Sequence, residues 1–329
     1  LRLKWRGPRP AGDEVVIVAI DDKSLDELGR FPWPRYRFAE FLKRMTRYDA
    51  AVVGFDIVFS EEDDSSGLSK LTALRQSIEE RKLSSQELYA FLDKAVEEAN
   101  NDAKMSRALR ESGRAILGYF FHFNLEDVRH IDPNRLAEFY ESIVPSEYEQ
   151  VFMGPDMRVP VEGLAIEANI KPLAEAAKGF GYFNVIPDMD GVVRQMPLMI
   201  QYRDVNTPFP PLSLELVKEY RQHLTGSPVQ LVATVDPEET LVSIEVDDQY
   251  YVIPTNRYGQ MLVNYYGPKG SFRYVSFTDV VHDRVEPAVF EGKIVLVGAT
   301  AMGIYDVRTT PFDLVYPGVE VHATVIDNI

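Results

Sequence analysis

Hydrophobic positions along the chain fall into two kinds of pattern. Val15-Val-Ile-Val-Ala-Ile20 and the run from Ala50 to Phe59, broken only by Gly54 and Asp56, are close to continuous over strand length, the pattern of strands buried on both faces. Between them Phe38, Phe41, Leu42 and Met45 recur at the spacing of one helical face. Strand, helix, strand is the order that results, and doubly buried strands favour a parallel sheet covered by helices. Ala115-Ile-Leu-Gly-Tyr-Phe-Phe121 and Lys293-Ile-Val-Leu-Val-Gly-Ala299 repeat the unbroken pattern. The late run is expected to return to the sheet of the early ones.

The second pattern is amphipathic. After the acidic loop Glu61-Glu-Asp-Asp64, residues Leu88, Phe91, Leu92, Ala95 and Val96 form one stripe and Met105 with Leu109 another, predicting helices that cover the core. The stripes are too short for a coiled coil. Asp132-Pro133 predicts a helix start ahead of Leu136, Phe139 and Tyr140. Asp188-Met-Asp-Gly191 predicts a turn between extended segments 181–186 and 192–200, a hairpin candidate, with Pro197 marking the second as an edge or broken strand. Leu212, Leu216, Val217 and Tyr220 predict another helix, followed by extended segments at 229–235, 240–246 and 260–266, a short helix at 276–281 and a last helix from Gly318. The fold expected is α/β: a mixed sheet with parallel central strands flanked by helices, a helical insertion after the second core strand and antiparallel additions in the later half. Residues 13–329 read as one composite domain with insertions at 61–112 and 124–178. A subdomain division near 122–178 is the alternative.

Charge changes the picture of partners. The 329 residues carry Lys+Arg 35 against Asp+Glu 51, a net charge of −16, which repels a polyanion and argues against nucleic acid. Cysteine is absent, so disulfides and thiolate chemistry are excluded. No run approaches the ~20 apolar residues that cross a bilayer. The chain starts at Leu1 instead of Met and ends at Ile329 within an apolar pattern, so it can be an excised part of a longer protein, and the absence of a span here says nothing of the parent.

Asp21 and Asp22 follow the first strand, Asp56 closes the second and Asp306 follows the late one. Loops beyond the carboxyl ends of such strands form the usual ligand crevice. These carboxylates can cap helices, hold a divalent cation or a cationic ligand, or pair with Arg35 and Arg194. No cofactor is otherwise expected. In Gly29-Arg-Phe-Pro-Trp-Pro-Arg35 the prolines restrict the approach to the following helix and Trp33 suits loop packing, while Arg35 can meet Asp56, Asp306 or an anionic ligand. His322, in Pro317-Gly-Val-Glu-Val-His322, is a packed histidine or a contact able to titrate near physiological pH, and Glu320 two residues away faces elsewhere on a helix. Asp188 to Gly191 lacks the rest of an EF-hand loop, and no dinucleotide, Walker or Gly-x-Ser-x-Gly motif occurs.

Taken in order, Val18-Ala-Ile-Asp-Asp22, Gly29 to Arg35, Gly54-Phe-Asp-Ile-Val-Phe59, Asp190-Gly-Val-Val-Arg194, Val263-Asn-Tyr-Tyr-Gly267, Ile294 to Ala301, Thr310-Pro311 and Gly318-Val-Glu-Val-His-Ala323 resemble the type-two CHASE family of sensory extracellular domains associated with cyclases and histidine kinases. The resemblance covers residues 13–329. It implies an extracytoplasmic or periplasmic input domain of a bacterial inner-membrane receptor, flanked by membrane-spanning segments and non-catalytic itself, whose unknown small-molecule or protein stimulus biases a cytoplasmic cyclase or kinase. A homodimer is expected, with Asp21, Asp22, Arg35, Asp56, Arg194, Asp306 and His322 as ligand or switch candidates. A structural dimerisation or partner-interaction domain and a metal-dependent hydrolase built on Asp21, Asp22, Asp56 and Asp306 are the alternatives.

Overall fold

The computed structural model describes residues 2–81, 86–154, 159, 161–203, 205, 207–236, 240–301, 303–304 and 307–329. Helix α1 (Arg2–Arg6) leads to strand β1 (Val15–Ile20), and α2 (Asp22–Leu28) with α3 (Arg35–Arg47) leads on to β2 (Val52–Phe55). Then come α4 (Leu68–Glu80), α5 (Gln86–Ala99), α6 (Asn101–Ser112) and β3 (Ala115–His122). The middle of the chain holds α7 (Pro133–Ile143), β4 (Gln150–Met153), β5 (Glu162–Gly163), β6 (Ala165–Glu167), α8 (Lys171–Ala174) and β7 (Gly179–Tyr182). Short strands β8 (Gln195–Pro197), β9 (Ile200–Tyr202) and β10 (Pro208–Phe209) precede α9 (Leu212–Thr225). Strands β11 (Val229–Val235), β12 (Thr240–Val246), β13 (Gln249–Ile253), β14 (Gln260–Leu262) and β15 (Arg273–Ser276) follow, then α10 (Phe277–Val281) and β16 (Ile294–Ala299). Two-residue strands β17 (Val307–Arg308) and β18 (Tyr316–Pro317) lead into α11 (Gly318–Asn328).

The main sheet has the order β15, β1, β16, β2, β3, with β6 and β7 both on β3. All its pairings are parallel except β3 with β6. β16 lies between β1 and β2 and bonds to both, as its unbroken apolar pattern predicts. Successive residues of β2 point to opposite faces. Phe55 meets Phe38 and Phe41 of α3 at 6.1 Å between ring centroids, whereas Gly54 lies under Leu216 of α9. α11 covers the same face as α9. A Cβ on Gly298 would come within 2.6 Å of Val319, so glycine there lets α11 lie directly on β16. One apolar cluster runs from Val15 to Ile326. Trp33 is buried in it, ring to ring with Phe277 at 5.0 Å, and its indole N–H donates to the Gly29 carbonyl at 2.7 Å.

The later half adds the antiparallel meander β11, β12, β13, with β4 joining β11 in parallel. Strand β13 has no counterpart in the sequence reading. Two local expectations are corrected. The turn at Asp188 forms, with Gly191 N–H donating to the Asp188 carbonyl at 2.8 Å, but its flanks do not pair as a hairpin. β7 joins β3 and β8 joins β14: a local turn leaves the choice of strand partner to long-range packing. Among the insertion helices, α6 buries Met105, Ala108 and Leu109 and packs on α3. By contrast α4 buries no residue and α5 buries Leu92 and Ala99, leaving Phe91 68% exposed. α4 and α5 pack on each other, joined by an Arg75–Asp93 ion pair, so the stripe on α5 is not a core cover.

Candidate functional site

The carboxyl edge of the main sheet is built from strand ends and the helix starts that follow them. Asp21 follows β1 and caps α2, its carboxylate accepting the Ser24 N–H at 2.9 Å and the Ser24 hydroxyl at 2.6 Å. It also accepts the Ser276 hydroxyl from the end of β15. Its oxygens are therefore spent on tying α2 to β15. Asp22, the first residue of α2, is exposed and lines a cleft of about 420 Å³ with Lys269, Gly270, Tyr274, Thr300 and Pro317. These come from four parts of the chain: the start of α2, the 267–274 segment, the end of β16 and the approach to α11.

One buried carboxylate holds the cleft wall. Glu320, in the first turn of α11, accepts the N–H of Gly270 at 3.0 Å, the N–H of Ser271 at 2.8 Å and the Tyr274 hydroxyl at 2.7 Å. Burial raises its pKa, and these donors oppose that rise. The helix start adds a favourable positive end for the charge. From there α11 crosses the sheet: Asp327 near its far end accepts the Gly12 N–H at 3.1 Å, just ahead of β1. Eleven residues of helix reach about 16 Å.

His322 faces away from this wall. It is buried, with Nε2 at 3.2 Å from the Phe183 carbonyl, which it meets as an N–H donor in the neutral ring. Burial pushes its pKa down to about 4, against the Phe183 bond and with help from the Arg308 charge. Of the two readings of His322, this burial favours the packed histidine, with the ring neutral near physiological pH. Glu320 and His322 meet different partners, as their spacing predicts.

The other candidates do not gather around the cleft. The Arg35 backbone N–H donates to Asp63 at 2.6 Å, while its guanidinium donates to the Glu61 carbonyl at 2.9 Å. That guanidinium also lies 3.7 Å from Asp102 and 4.7 Å above the Phe59 ring. Its carboxylate partners are thus in the helical insertion. Asp56 donates its N–H to Val297 at 2.8 Å and places its carboxylate beside Gly298, under the start of α11. Arg194 pairs with Asp188 at 2.7 Å and Asp190 at 2.8 Å across the turn, holding Asp190 down at about 2. Asp306 lies outside the described residues. Among the described residues no group of three His, Asp or Glu converges to hold a metal ion.

The family model of the CHASE2 domain matches residues 1–329. The chain belongs to the CHASE2 family. CHASE2 domains are non-catalytic extracytoplasmic sensory modules that couple to cytoplasmic cyclase or kinase outputs, so the hydrolase alternative is set aside. No curated protein and no solved structure matches the chain. Among the described residues of this CHASE2 domain, no helix is long and apolar enough to cross a membrane. Sequence reasoning weighed Glu320 only as a neighbour of His322 and missed Lys269, Tyr274 and Thr300. An acid in the first turn of a helix was the available signal for Glu320. Nothing local marks the other three.

Proposed function

We propose that this domain reads a small polar molecule in the cleft at the carboxyl edge and that α11 carries the effect across the sheet. The supporting observation is the Glu320 carboxylate, which joins the cleft wall at Gly270, Ser271 and Tyr274 to the first turn of α11. Among the residues lining the cleft Asp22 and Lys269 bring opposite charges, and Thr300 a hydroxyl. A molecule that shifts the wall acts on the same buried charge as the helix. It switches the receptor only by binding one arrangement more tightly than the other.

In this reading residues 13–329 act as one unit, supported by β16 lying between β1 and β2 and by the shared apolar cluster. Membrane spans flank it, and the receptor works as a homodimer. The test is a thermal-shift screen of small amino and carboxylic compounds on the chain, followed by output assays of the intact receptor. Asp22→Asn and Thr300→Val are expected to weaken a positive compound by about tenfold each. Saturable binding that leaves output unchanged, or that ignores both substitutions, counts against the cleft.

A further inference from the structure

We infer that the end of the domain where α1 and the last turn of α11 both reach Asn264 docks on the surface of an anionic lipid bilayer. The Arg6 guanidinium bonds to the Asn264 side chain and the Tyr265 carbonyl, and Arg9 N–H donates to the Tyr266 carbonyl at 2.7 Å. Asn264 N–H in turn donates to the Asn328 side chain at 2.8 Å. Segment 264–266 therefore clasps α1 and the far end of α11 together, opposite the sheet edge that carries the cleft.

Apolar and aromatic groups face solvent on both sides of this clasp. Trp5 is 86% exposed. Leu262, 68% exposed, rims a groove of about 670 Å³ that Leu3 also lines. Tyr251 and Val252, half exposed, border a second hollow with Asn328. Trp, Tyr and Leu with nearby cations are the residues that sit at the membrane interface, rings at the headgroups and aliphatic groups below them.

Charge selects the occupant. The first ten residues carry Arg2, Lys4, Arg6 and Arg9 and no acid, in a chain of net charge −16, and the acids nearby have partners, Asp327 the Gly12 N–H and Asp188 and Asp190 the Arg194 guanidinium. A second copy docked here would set basic run against basic run, whereas an anionic leaflet attracts it. The exposed Phe91 on α5 lacks this feature, since Glu87, Asp93, Glu97 and Glu98 share its helix.

The inference rests on the reading of the domain as tethered to a membrane at this end. Its test is co-sedimentation of the chain with vesicles of phosphatidylcholine plus phosphatidylglycerol, and with vesicles of phosphatidylcholine alone. Binding is expected to the anionic vesicles and to fall with salt. Arg9→Glu, Trp5→Ala and Leu262→Asp should each weaken it by about fivefold or more, with unchanged melting showing that the variants fold. Phe91→Asp should leave binding unaltered. Equal binding to both vesicles, equal loss from Phe91→Asp, or the same three substitutions abolishing a dimer instead would overturn the proposal. The ligand screen needs no vesicles, so failure of the cleft reading and failure of this one show in different assays. Labelling of the ends in the intact receptor tests the tether by itself.

Discussion

Two carboxylates lie buried on the same face of the main sheet, one on each covering helix, and they are held by different chemistry. Glu215 on α9 meets the Lys218 ammonium at 2.7 Å, and Lys218 reaches Glu149 at 3.0 Å. Glu149 accepts the Leu231 N–H at 2.8 Å, so the ion cluster fastens α9 to the meander sheet. Glu320 on α11 is held by backbone N–H groups and a phenol of the cleft wall. A buried ion pair is costly to break, because the charge left behind has no partner. Hydrogen bonds from a surface segment can be replaced by water, provided that movement of the segment opens the carboxylate to solvent. The α9 arrangement suits a fixed support, and the α11 arrangement suits an element that a ligand can move.

The largest effect is expected where the fixed support is cut. Above pH 7, where Glu215 is ionised, Lys218→Met leaves that buried carboxylate without its cation and should cost about 3–5 kcal/mol in denaturant unfolding, less at lower pH where the acid is neutral. A loss no greater than that of an exposed lysine would mean the cluster is solvated and the contrast between the helices is wrong.

Acidification should separate the helices next. Burial pushes Glu215 up to about 7, with Lys218 opposing. Its contribution is full below the unfolded carboxylate range and is lost as pH rises through about 7. His322 on α11, lowered to about 4, behaves in the opposite sense: its contribution is full above its unfolded pKa near 6.5 and is lost as pH falls towards 4. The two offset each other in the wild type. Glu215→Gln should therefore expose an acid loss of about 3 kcal/mol, and His322→Gln a gain of similar size on acidification. Parallel pH profiles for the two variants would refute both assignments.

The smallest change in stability is expected at the movable element. Glu320→Gln keeps the shape but loses the charge-assisted bonds, costing about 1–2 kcal/mol. Hydrogen exchange should quicken at Gly270 and Ser271, and the intact receptor should shift its basal output. Unchanged output despite faster exchange would separate the cleft wall from signalling.

How much of this was legible depended on the range of the interaction. The core strands could be read because Val15 to Ile20 and Ile294 to Ala299 are apolar at nearly every position, which leaves a doubly covered strand as the simplest state. The α5 stripe misled, since Leu88, Phe91 and Leu92 show that a face is apolar and not what covers it. Arg35 was singled out for its position after Pro34, yet its partners Asp63 and Asp102 belong to an insertion whose return path no local pattern states. Asp21 was rightly placed at a strand end, where capping satisfied it before any ligand could.

Local periodicity, turn chemistry and the ordered motifs by themselves determined the α/β class, the core strands and membership of a sensory family, because each depends on residues close in sequence. Only the tertiary structure decided that Glu320 would hold Gly270 to Tyr274, that His322 would be neutral, and that residues 6 and 328 would meet at Asn264. Those facts depend on distances and on exclusion of water between segments far apart in the chain, and spacing along a sequence carries neither.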